Sequence, residues 1–240
     1  TEYTYKVVVT DAEGKDIGTA TFTVPYYAQL MNGSFETPDA TKVPSDDNGK
    51  IAYQPYYRNG RDGLYWKTTA SDGLIEFINT KGKNADSAYT HHYASTAADG
   101  SQYAELNGNM PGTLYQDVLT VPGATLYWQL SHRGRGTSAT DTGTDTMYVL
   151  IASKKNAETI TTQDQVDELV EKWIGDGKPE EGIEGFNITE ITSNNKKWHT
   201  NSGSYPVPEG QYLTRFFFAA GETAYDQTGP TQYRGTVGNH

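Results

Sequence analysis

The sequence predicts an all-β protein: a jelly-roll β-sandwich with one inserted amphipathic helix, about residues 162–174, and an N-terminal β-hairpin. Three observations carry this expectation. Short segments rich in Tyr, Val, Ile, Phe and Thr recur between turn residues. Helical periodicity is confined to a single stretch. No repeat at a period of about 20–50 residues is visible, which removes solenoids and propellers. A chain of 240 residues suits one large β domain with a small appendage.

The opening "YTYKVVVTDAEGKDIGTATFTV" reads as a hairpin, with strands Tyr3 to Thr10 and Thr19 to Val24 around a turn-rich link. It looks like the last two strands of an immunoglobulin-like module. An isolated hairpin is marginal in water, so residues 1–27 are expected to be the remnant of a preceding module, with Pro25 near the boundary. Residues 28–240 are expected to form the jelly-roll domain.

Within that domain, "DATKVPSDDNGKIAYQPYYRNGRDG" reads as a turn-rich insertion. Strands follow at 64–69, 74–80, 102–108, 113–120, 125–133, 146–153, 186–193 and 211–221, with Asp72-Gly73 and Pro122-Gly123 as turns between neighbours. The helix is read from Val166, Leu169, Val170, Trp173 and Ile174 at helical spacing. Thr162 and Gln165 stand in capping-box positions and Gly175 ends the run. Its apolar face either packs on the sandwich or meets a partner.

The net charge of -11 leaves no basic face for nucleic acid and disfavours anionic membranes. The absence of cysteine excludes disulfides, zinc-thiolate sites and cysteine nucleophiles. No apolar run reaches membrane-spanning length. There is no G-x-S-x-G turn and no Walker or dinucleotide glycine pattern, and no motif singles out a carboxylate pair for glycoside hydrolysis. The chain therefore reads as no enzyme.

"MNGSFETP" (31–38), "LYWKTTASDGLIEF", "YAELNG", "LYQDVLTVPGATLYWQLSHRGRG" and the closing "TVGNH" together resemble the galactose-binding-like jelly rolls. These are relatives of carbohydrate-binding modules found in surface proteins and adhesins of Gram-positive bacteria. The resemblance covers about residues 30–240 and implies an extracellular or cell-surface recognition module, a glycan or host glycoprotein as partner, and neighbouring domains in a longer chain. In that family the "GN" motif usually runs on into a last strand, so the domain is expected to lack that strand. The resemblance also implies a structural calcium, with Glu36 as the matching first-strand carboxylate; hard oxygen ligands suit that ion.

Sugar recognition needs flat aromatic faces and planar polar groups. Trp66, Tyr65, Tyr56, Tyr57, Trp198 and Tyr205 are candidates for stacking; Arg133, Arg135, Asn107, Asn109 and Gln116 are candidates for hydrogen bonding. Trp66 and Trp128 also read as core, and the tyrosines of "YQPYYRNGRDGLYW" as loop residues. Along "TLYWQLSHR" the period of two sends Leu126, Trp128, Leu130 and His132 to one apolar face. His132 then either closes the core face or touches ligand. Arg133 and Arg135 either contact ligand or pair with Glu76, Glu105, Asp141 or Asp145. The site expected from sequence is thus Arg133, Arg135, His132, Trp66, Tyr57 and Asn107, with Glu36 for metal. The rival readings are a stalk module and a protein-binding adhesin domain, the latter requiring an exposed apolar patch around Trp173.

Overall fold

Strand alternation sorts the chain into layers, and the computed structural model describes this arrangement for residues 2–25, 29–46, 55–80, 96–106, 108, 110–134 and 144–221. It is an all-β sandwich with a small helical insertion. One layer is a five-stranded antiparallel sheet ordered β10 (Phe186–Asn194), β9 (Thr144–Ser153), β12 (Leu213–Ala220), β7 (Thr113–Leu119) and β4 (Lys67–Thr68). The other layer has two parts: β11 (His199–Pro206) with β8 (Thr125–His132), and β3 (Tyr56–Arg58) with β5 (Leu74–Asn79) and β6 (Gln102–Glu105). From β7 to β12 the chain passes between the layers repeatedly, as a jelly roll requires.

Two apolar clusters stabilise this layering. The inner one, between the sheets, joins Leu114, Val118, Met147, Val149, Ile151 and Phe216 of the large sheet to Tyr57, Ile75, Phe77 and Ala104 of the smaller one. The outer one lies on the other side of the large sheet, where Tyr148, Leu150, Phe186, Ile188, Phe217 and Ala219 meet the helix α2 (Gln163–Gly175) through Val166, Leu169, Val170 and Trp173. This is why β9 carries the near-continuous apolar run "MYVLIA": both of its faces are covered. The short helix α1 (Lys154–Ala157) leads from β9 towards α2. No helix among the described residues is long and apolar enough to cross a membrane.

The helix begins as its sequence predicts. Thr162 accepts from the Gln165 backbone N–H while the Gln165 side chain accepts from the Thr162 N–H, closing the capping box. Its apolar face is used internally, and Trp173 donates through Nε1 to the Pro179 carbonyl at 3.0 Å. The exposed patch around Trp173 that a protein-binding reading requires is therefore not offered by this helix.

Three sequence expectations change. The strand expected at 64–69 contracts to Lys67–Thr68, because Tyr65 adopts φ 63°, a left-handed backbone that ends extended structure. Tyr57, read as a loop residue, lies in β3 and is fully buried. The strand β11 was not foreseen, since "HTNSGSYP" has almost no apolar periodicity; it forms through its pairing with β8. The hairpin strands are β1 (Glu2–Thr10) and β2 (Asp16–Pro25), the second longer than read from sequence.

Candidate binding cleft

The second layer opens between β6 and β8, where, among the described residues, neither strand pairs with the other. A cleft of about 530 Å³ enters the sandwich at this place. Its floor is the inner face of the large sheet, with Leu114, Val118, Met147, Phe216 and Phe218. One wall is β8, contributing Leu126, Trp128 and Leu130, and the other is β6, contributing Tyr103 and Ala104. The loop from Leu30 to Phe35 and the residues Asp99 and Trp198 close its ends.

Alternation along β8 builds the first wall. Leu126, Trp128 and Leu130 are half-buried and His132 is fully buried, while Thr125, Tyr127, Gln129 and Ser131 face outward, as the period of two predicts. Tyr127, 84% exposed, stands at the rim. Trp128 is paired in register with Gly203 of β11. A Cβ on Gly203 would stand 2.4 Å from Trp128 Cζ2 and 2.6 Å from Cε2, so the indole lies over a space that only glycine leaves free. The Trp128 Nε1 is buried and has no hydrogen-bond partner among the described residues.

The opposite wall is rigid. Gln102 uses its whole amide: Nε2 donates to the Phe35 and Pro38 carbonyls, and Oε1 accepts from Ala40 N and Asn79 Nδ2. Tyr103 meets Trp198 edge to face at 5.2 Å, and Trp198 is fixed through Nε1 to the Thr96 carbonyl.

The residues expected from sequence distribute as follows. Trp66, 3% exposed, packs in the inner core, stacked on Phe35 at 5.1 Å and donating to the Asn32 carbonyl, so it forms cleft floor rather than a free stacking face. Tyr57 is excluded from ligand by burial; its hydroxyl donates to the Val43 carbonyl, and desolvation pushes its pKa up to about 12. Tyr56 and Tyr205 are also buried, whereas Tyr65 is exposed but does not line the cleft. Trp198 is the stacking candidate that does reach it. Gln116 spends its amide on both backbone groups of Met31, fixing the segment at the cleft mouth.

His132 closes the core face, fully buried and opposite His199 in the strand pair, and is not available to ligand. Arg133 turns inward at the strand exit. Its Nε donates to the Asn195 carbonyl at 2.8 Å, and burial lowers its pKa from the ordinary arginine value. It does not line the cleft. Gly134 follows with no room for a side chain, since a Cβ would stand 2.7 Å from the Ser193 carbonyl oxygen. Arg135, Asn107 and Asn109 lie outside the described residues.

Glu36 directs Oε1 to the backbone N–H groups of Ser101 and Gln102, at 2.7 and 2.8 Å, so it clasps the entry to β6. Among the described residues no group of three or more His, Cys, Asp or Glu could hold a metal ion. A calcium site at Glu36 would need ligands beyond them.

No protein-family model matches the chain, and no curated protein matches it. Among solved structures it is similar to one described as "CBM4 structure and function", at 13% identity and a TM-score of 0.35, over 88% of this chain and 94% of that one. At that distance the cleft has to be read from its own residues.

Proposed function

We propose that this chain is a non-catalytic carbohydrate-recognition module whose glycan site is the cleft between β6 and β8. The observation that carries the proposal is Trp128: an indole laid over Gly203 in the wall of an open cleft, with a buried N–H that has no partner among the described residues. A buried donor left unmade costs roughly 1–3 kcal/mol. A sugar hydroxyl reaching it recovers that cost while the ring stacks on the apolar face of the pyranose. Gln129 and Ser131 are exposed next to it on β8 and supply further hydrogen bonds.

On this reading the module belongs to an exported bacterial surface protein, where it recognises a glycan or glycoprotein and is joined to neighbouring domains. The Tyr-, Thr-, Asn- and Gly-rich composition without cysteine supports that setting. The test is a glycan array followed by titration of the best ligand. Trp128→Ala is expected to weaken binding by at least about tenfold, or ~1.4 kcal/mol, with the fold retained by circular dichroism. Absence of any signal on a broad array rejects the proposal.

One observation favours a second reading, a protein-binding module. Among the described residues β6 pairs only with β5 and β8 only with β11, so both present an edge to the cleft. A partner strand could add to such an edge. Capture of an extended peptide, with no glycan bound, would favour it.

A further inference from the structure

We infer that the cleft selects an uncharged glycan and rejects acidic ones, an inference that rests on the carbohydrate reading of the same cleft. Among the described residues lining it there is no Lys, Arg or His, and the one acid is Asp99, exposed at one end. The polar groups open to ligand are neutral: the Gln129 amide, the Ser131 hydroxyl and the Trp128 N–H. These match hydroxyl groups, which both donate and accept. They cannot replace the cation that a carboxylate or sulfate requires when it leaves water for an apolar cleft.

The cation nearest in sequence does not supply the need. Arg133, at the end of β8, is turned to the Asn195 carbonyl and lies outside the lining. Asp99 and the chain's net charge of -11 add repulsion for any anion, and this part fades as salt screens it. The desolvation part does not fade, so the preference persists at high salt in weakened form.

The experiment is calorimetric titration of the whole chain with two oligosaccharides of equal length and linkage, one neutral and one carrying a uronic acid, at low and high salt. The neutral ligand is expected to bind at least about tenfold tighter at low salt, with a smaller but persistent gap at high salt. Asp99→Lys places a cation at the cleft end and is expected to narrow the gap. Equal or tighter binding of the acidic sugar, or a gap unmoved by Asp99→Lys, overturns the charge selection and leaves the carbohydrate reading standing. If neither these ligands nor an array of both classes binds while the melting curve shows a folded protein, the carbohydrate reading falls and the selection with it.

Discussion

A methyl group at Gly203 would meet the Trp128 ring at 2.4 Å, well inside van der Waals contact, so Gly203→Ala must push the indole off the sheet. The expected result is glycan affinity reduced as far as in Trp128→Ala, with a changed tryptophan emission spectrum. Because the clash requires both partners, the stability cost of Gly203→Ala should vanish in a Trp128→Ala background; a double-mutant cycle by urea denaturation measures it. Additive effects would show that Gly203 does not seat the ring. The inner face of β8 is legible from its own alternation, which places Trp128 and His132 correctly. Gly203 is not, because β11 carries "HTNSGSYP" and its register to β8 is a tertiary fact. The arginine at the strand exit was legible as a polar residue after a strand, but whether it met a carboxylate, a ligand or a carbonyl depended on Asn195, 62 positions away.

Among the elements, the large sheet and its helix show where pattern suffices. The helix has helical spacing, a capping box and a glycine stop within one window, so it needs no tertiary information to be recognised. The strands β5, β7, β8, β9, β10 and β12 are long enough for their composition to mark them, whereas β3 and β4 span only 3 and 2 residues inside turn-rich sequence. What no element reveals alone is the ion pair that joins two of them. Arg215 of β12, buried and opposite Asp117 of β7, forks onto that carboxylate at 2.6 and 2.9 Å and lies over the Tyr115 ring at 4.5 Å. Desolvation acts to lower the Arg215 pKa, but the Asp117 bond and charge outweigh it and raise the value. Removing one partner strands the other charge, so Arg215→Met is expected to cost about 3 kcal/mol in chemical denaturation. Asp117→Leu in the same chain should restore most of that loss, since a well-packed apolar pair replaces a buried ionic one at little net cost. If the double variant is no more stable than Arg215→Met, the loss comes from packing rather than the stranded carboxylate.

At the scale of the whole molecule, the clusters that hold the sandwich together include no residue of the hairpin β1–β2. Its described side chains are exposed almost throughout, Val7, Val8, Val9 and Ile17 among them at 40–64%. Exposed aliphatic residues on a paired hairpin contribute little to the stability of a core they do not touch. They fit the proposal that residues 1–27 belong to a separate structural unit and that the binding domain begins after them. A chain starting at Gln29 is therefore expected to melt within about 2 °C of the full chain, which corresponds to less than about 1 kcal/mol for a domain of this size. It should bind the same glycan with unchanged affinity, because every described residue of the cleft lies at or beyond Gln29. A drop of many degrees would mean that the hairpin packs on the sandwich in solution and that the chain is one cooperative unit. Retained stability with lost binding would place part of the ligand site on the hairpin, and the cleft between β6 and β8 would then be only half of it.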